Sequence, residues 1–98
     1  MSIKKQFLKT KPVCKVTFSI EAPEAKKVSV VGDFNKWKAG ADSLKKLKNG
    51  NFKGTLDLET GKSYQFRYLV DGEYKNDAEA DNYVWNDFAG ADNSVVEL

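Results

Sequence analysis

Between residues 14 and 20 the chain reads CKVTFSI, with Cys14, Val16, Phe18 and Ile20 at every second position and Lys15, Thr17 and Ser19 between them. A period of two is what a half-buried strand requires, and a helix, whose faces repeat every 3.6 residues, cannot satisfy it. Residues 64–70, YQFRYLV, repeat the pattern. Tyr64, Phe66, Tyr68 and Val70 share one face and Gln65, Arg67 and Leu69 the other, so Arg67 is expected to point away from the aromatic side. Shorter runs complete the set: VSVVG ending at Gly32, FKGTLDL with Phe52, Leu56 and Leu58 aligned around Gly54, EYKN, and SVVEL at the end. Gly54 marks a bulge or a close approach. Asp71-Gly72 is a type I′ hairpin signal, since both central residues of that turn need positive φ.

Nothing in the chain competes as a helix. Residues 33–48 lack a sustained period and read as a long loop, in which SLKKL makes one helical turn at most. A second irregular stretch, DAEADNYVWNDFAGADN, carries Tyr83, Trp85 and Phe88. Six or seven short strands separated by turn signals predict an all-β antiparallel sandwich. At 98 residues the chain is one domain with one modest core. The expected division is a Lys-rich N-terminal segment over 1–12, with Lys4, Lys5, Lys9 and Lys11 in a solvated tail, followed by the sandwich over 13–98.

Several function classes fall away on composition. The start has no apolar run of the length a secretory signal needs, and no later segment could cross a bilayer, so a cytoplasmic protein without a membrane partner is expected. Cys14, the only cysteine, cannot form an internal disulfide and alternates with apolar neighbours, as a buried thiol would. A net charge of +2, evenly mixed, does not suit nucleic acid. The chain has no histidine, which removes Ser-His-Asp, Cys-His and the usual zinc arrangements. No phosphate-cradling glycine pattern occurs, and no cofactor is expected.

Paired carboxylates could still support glycoside hydrolysis. Asp71 and Glu73, however, fit turn chemistry and solubility better than a cleft. Asp77, Glu79 and Asp81 could be imagined around a calcium ion. The EF-hand spacing fails there, with Asn82 in place of its glycine and Phe88 in place of its bidentate Glu. Neither a catalytic residue nor a metal ligand is therefore assigned.

What remains is aromatic and polar. Trp37, Tyr74 and Trp85 fall in loops or at strand ends, outside the core alternation. Trp37 has two readings: a large ring folded back over the edge of the sandwich, or a flat indole displayed for stacking. Sugars offer such a ring a face of C–H groups. Their hydroxyls would need hydrogen-bonding partners, which Asn35, Asn82, Asn86, Asn93 and Arg67, the chain's only arginine, could supply.

The segments VTFSIEAPEAKKVSVVGDFNKW, LKNGNFKGTLDL, YQFRYLVDGEY and GADNSVVEL resemble carbohydrate-binding module family 48. That family includes the N-terminal domains of isoamylases and branching enzymes and the glycogen-binding domain of the AMP-activated protein kinase beta subunit. The likeness runs from about Lys15 to Leu98, with GDFNKW and YLVDG its most specific parts. It implies an immunoglobulin-like sandwich that binds α-1,4-linked glucans. Carried over residue by residue, Trp37 stacks on glucose, Arg67 and Asn93 reach hydroxyls, and Tyr74 stands where a second platform is usually tryptophan. Ala89 and Ala91 replace the leucine and threonine of kinase-type members, which implies a shallower or differently shaped site. Trp85 or Phe88 could substitute from the same loop, a role the family pattern does not itself supply.

The expected function is thus non-catalytic binding of glycogen, starch or maltodextrin, with Trp37, Arg67, Tyr74, Asn93 and Trp85 as the site. The alternative is a protein-interaction module of the same fold that docks onto a glycogen-metabolising enzyme; an enzyme or enzyme fragment is the third reading. No catalytic barrel follows Leu98, so the chain, if complete, is expected to work alone or to lend its surface to a partner, and its Met start speaks against an excised fragment.

Overall fold

Strand β2 (Val13–Glu21) pairs antiparallel with β5 (Asn51–Glu59) in an unbroken register that sets Phe18 opposite Gly54 and Cys14 opposite Leu58. The computed structural model describes residues 3–98. β1 (Ile3–Phe7) flanks β2, and the two-residue β4 (Lys45–Lys46) flanks β5, giving the first sheet the order β1-β2-β5-β4. The second sheet runs β3-β6-β9-β8, from β3 (Val28–Gly32), β6 (Ser63–Val70), β9 (Ala91–Glu97) and β8 (Asn82–Asn86), with β7 (Glu73–Lys75) pairing the end of β6. Every pairing is antiparallel. The two sheets form the immunoglobulin-like sandwich that alternation and resemblance anticipate.

Alternation becomes core. Cys14, Val16 and Phe18 from the first sheet meet Phe66, Tyr68 and Val96 from the second, and all are sealed from solvent. Phe66 meets Phe18 and Tyr68 in edge-to-face geometry, with ring centres 5.0 Å and 5.8 Å apart. Burying each such ring contributes roughly 1.5–3 kcal/mol, with a further increment from edge-to-face geometry. The Tyr68 hydroxyl, caught in this core, donates to Asp77 Oδ2 at 2.6 Å. Burial first, and then this bond, push the phenol far above its ordinary value. Asp77 is turned inward, so its carboxylate anchors the segment after β7; the backbone N–H of Asp77 donates to Ser94 Oγ at 2.8 Å and that of Glu79 to Asp77 Oδ1 at 2.8 Å.

Three expectations need correction. The Lys-rich start is not a solvated tail: residues 3–7 pair with 14–18 of β2, with Ile3 buried, Lys5 on the same face and paired with Asp81 at 2.6 Å, and Lys4 on the other face. A lysine-bearing strand suits a sheet edge, where charge discourages further pairing. SLKKL is extended rather than helical, because Lys45 and Lys46 pair with Lys53 and Phe52 while Leu44 packs over Gly54, where a Cβ would lie 2.6 Å from Leu44 Cδ2. Gly54 is therefore a close approach, one of its two anticipated roles. Finally, residues 82–86 of the second irregular stretch are the edge strand β8, paired with β9.

Register defines the outer face of the second sheet. Phe66 and Ser94 pair and point into the sandwich, so their neighbours Gln65, Arg67, Asn93 and Val95 point out. Val31 lies opposite Arg67, Tyr74 opposite Leu69, and Val84 opposite Asn93.

Candidate functional site

The residues of VGDFNKW build one corner of that outer face, each by its own contact. Gly32 brings β3 so close to β6 that a Cβ there would lie 2.3 Å from the Gln65 carbonyl oxygen. The chain then leaves the sheet in a 3-10 turn, Asp33–Asn35. Phe34 packs back on the core, 5.6 Å from Phe18 and 6.2 Å from Tyr64. Asn35 closes the turn: its Oδ1 accepts from Gly32 N at 3.0 Å, and its Nδ2 donates to Val30 O at 2.9 Å and Asp42 Oδ2 at 2.7 Å. This corrects the expectation that Asn35 is available to a ligand.

Lys36 and Trp37 follow with φ of 56° and 60°. The left-handed region costs non-glycine residues about 1–2 kcal/mol each, so the turn needs anchors. It has three: Trp37 N donates to Gly32 O at 2.9 Å, Lys38 N donates to Asn35 O at 3.2 Å, and the indole Nε1 donates to Asp33 Oδ1 at 3.2 Å. The indole is half-buried and borders an open depression of about 480 Å³. Trp37 is thus neither folded away into the core nor free of the fold.

Gln65 and Asn93 also border this depression, joined by a hydrogen bond from Asn93 Nδ2 to Gln65 Oε1 at 3.0 Å. Asn93 is only 3% exposed and offers a ligand little more than an edge. The far rim comes from β8 and the turn after it. Asn86 Nδ2 reaches Asn93 Oδ1 at 3.5 Å, and Asn86 Oδ1 accepts from the backbone of Phe88 and Ala89, which shapes the turn. Phe88 at its tip is fully exposed. Trp85 sits on β8 rather than in a loop. Its partner is Asp92, which places it on the opposite side of β8 from Val84 and Asn86, and it borders the depression at the sheet edge. Trp85 Nε1 donates to Asp87 Oδ1 at 2.7 Å, so both indoles have their N–H taken by a nearby aspartate. Asn82, which heads β8, bonds its own neighbour, its Oδ1 accepting from Tyr83 N.

Arg67 and Tyr74 lie on the same face but not in the wall of the depression. Arg67 is buried, its Nη2 donates to Ala91 O at 3.3 Å, and its Nε has no hydrogen-bond partner. Tyr74, 56% exposed on β7, stands with its ring centre 5.9 Å from the guanidinium. Among the described residues the ion pairs are Lys5–Asp81 and Lys62–Glu59, and neither involves Arg67. Of the five expected site residues, Trp37, Asn93 and Trp85 are gathered at the depression, and Arg67 and Tyr74 form an adjoining pair. Sequence reasoning missed Gln65, Asp33 and Asp87. Alternation did put Gln65 on the Arg67 face and could have nominated it; the two aspartates gave no periodic signal. A larger depression of about 610 Å³, around Lys27, Ser29, Leu69 and Asp71, has no aromatic side chain in its lining.

The 1,4-alpha-glucan branching enzyme of Salinibacter ruber is 36% identical over 58 residues, covering 58% of this chain and 9% of the enzyme. The 1,4-alpha-glucan branching enzyme of Aquifex aeolicus is 35% identical over 63 residues, covering 61% of this chain and 10% of the enzyme. The chain spans about a tenth of the length of the branching enzymes it matches. Residues 14–98, from the first core position of β2 to the end of β9 and beyond, match the family described as the glycogen recognition site of AMP-activated protein kinase. The chain belongs to that family of glycogen-recognition modules, of the carbohydrate-binding module family 48 type.

Proposed function

We propose that this chain is a non-catalytic module that binds α-1,4-linked glucans such as glycogen, starch or maltodextrin. The observation that carries the reading is the placement of Trp37: an indole held on a left-handed turn, half-exposed, beside the amides of Gln65 and Asn93. The ring offers its face to the C–H side of a glucose unit, and the amides take hydroxyls. Tyr74 is the second platform. Arg67 is the cationic anchor, with donors left over from its single bond to Ala91. Trp85 and Phe88 form the rim in place of the bulk that Ala89 and Ala91 lack. Family membership and two relatives named for 1,4-alpha-glucan support the same ligand class. A small stacking site of this kind binds in the roughly micromolar to millimolar range.

The test is migration of wild type and Trp37→Ala through native gels with and without glycogen, with albumin as a non-binding control. Retardation of the wild type, lost in a variant with unchanged circular dichroism, is the expected result. Equal mobility of both proteins with and without glycogen would overturn the proposal.

The exposed residues Tyr83, Val84, Trp85 and Phe88 along the β8 edge favour a second reading, a surface that docks onto a glycogen-metabolising enzyme. Such binding would survive soluble maltodextrin as competitor, whereas sugar-mediated association would not.

A further inference from the structure

We propose that Asp33 is the positioning residue of this site, coupling the Trp37 platform to the amides beside it; the assignment rests on the glucan-binding reading above. β3 turns off the sheet after Gly32, and the ladder position opposite Gln65 would otherwise be empty. The Asp33 side chain fills it, with Oδ2 accepting from Gln65 N at 2.9 Å. The other oxygen, Oδ1, accepts from the Trp37 indole at 3.2 Å. One carboxylate therefore ties the platform to the strand that carries Gln65. From there the line continues through Gln65 Oε1 to Asn93 and, by a longer contact of 3.5 Å, to Asn86, which shapes the Phe88 turn.

Two chemical consequences follow. Trp37 Nε1–H is satisfied within the protein, so this ring acts on a sugar through its face and not through its N–H. A carboxylate is also the one side chain of this length that accepts from both N–H groups at once, because it has two acceptor oxygens and no competing donor. Asparagine in the same place has one acceptor oxygen, and its NH2 group would face an N–H. At least one of the two bonds must then be lost, and the indole is the group free to move.

The experiment compares Asp33→Asn with its parent in two backgrounds: the wild type for glycogen retardation, and Trp85→Phe, in which Trp37 is the only indole, for fluorescence anisotropy. Expected are a retained β-sheet circular dichroism spectrum, a lower Trp37 fluorescence anisotropy in the free protein, and glycogen retardation weakened by about tenfold, the scale of one charge-assisted hydrogen bond. The anisotropy change is a readout that a purely structural role would leave unmoved at a temperature where both proteins are folded. If Asp33→Asn kept the anisotropy and the glycogen affinity of the parent, the assignment would be overturned. Should the variant not fold, hydrogen exchange of the Trp37 indole N–H in the wild type decides. Protection relative to free indole supports the bond to Asp33, and absence of protection overturns it. A Trp37→Ala variant of the wild type separates the two levels. Undiminished glycogen binding there would sink the stacking reading itself, whereas loss there together with unchanged binding in Asp33→Asn would sink only the role of Asp33.

Discussion

The Arg67 guanidinium lies 5.9 Å from the centre of the Tyr74 ring, buried, and its Nε has no hydrogen-bond partner among the described residues. A buried cation with one long hydrogen bond and an aromatic cover is a poor stabiliser, since desolvation outweighs what these contacts return. Arg67→Met, which keeps much of the volume, should leave the urea midpoint unchanged or raise stability by about 1 kcal/mol. Glycogen retardation should weaken in the same protein. A large loss of stability with normal retardation would place Arg67 in the packing and not in the site.

The phenol of Tyr68 and the carboxylate of Asp77 are buried together 2.6 Å apart. Tyr68→Phe leaves that carboxylate short of a donor in the core and should cost about 1–3 kcal/mol by urea denaturation. The pH dependence has a definite sign. Burial and then the Asp77 bond raise the folded-state phenol, so its contribution is complete below the ordinary value of 10.0 and is lost as pH rises above it, where the unfolded chain ionises first. Stability at pH 11 relative to pH 8 should fall less in Tyr68→Phe than in the wild type.

How much of this was readable from the sequence depends on which physical signal each residue carries. Cys14 to Ile20 and Tyr64 to Val70 alternate, and alternation under a buried face is decisive. Asp71 and Gly72 take φ of 47° and 89°, as the turn signal between them required. β1 was hidden because Lys4, Lys5 and Gln6 interrupt any alternation, and an edge strand is held by backbone pairing that side chains do not announce. β8 was hidden for a related reason: Asn82 and Asn86 bracket Tyr-Val-Trp, a β-favouring core too short to register between turn residues. At the site, Trp37 was legible as a displaced aromatic. That Asn35 is consumed by its own turn, and that Asp33 bridges to Gln65, depends on the path of the chain after Gly32 and has no one-dimensional signature.

Asp71 gives an acid-side counterpart. Its carboxylate accepts from Lys27 N at 2.8 Å and Lys26 N at 2.9 Å, and the Lys27 bond is the main reason it sits below the ordinary 3.8. For a depressed carboxylate the contribution is present above the unfolded value and lost as pH falls below it. Asp71→Asn tolerates the same left-handed backbone, removes the charge, and keeps one acceptor oxygen for the Lys26 and Lys27 N–H groups that Oδ1 now serves. The drop in urea midpoint from pH 6 to pH 3 should be smaller in this variant than in the wild type; an identical drop would show that Asp71 has no part in the acid sensitivity.

Two glycines, one at the site and one beside the separate larger depression, should respond to the same substitution for different reasons. Gly32 has an extended backbone, φ of −179°, which alanine adopts freely, but a Cβ would meet Gln65 O at 2.3 Å and Phe66 Cβ at 2.8 Å. Neither atom can yield without moving β6, so Gly32→Ala must push the two strands apart and carry the Asp33 turn with them. Overpacking of this kind costs about 1–3 kcal/mol, and glycogen retardation should fall with stability because Trp37 and Gln65 move relative to each other. Gly40 has open space around it but a φ of +80°, so Gly40→Ala should cost about 1 kcal/mol through backbone strain alone and leave retardation intact. Urea midpoints and native gels on both variants separate these effects. Equal retardation loss in the two would mean that general destabilisation, and not the spacing between β3 and β6, governs the site.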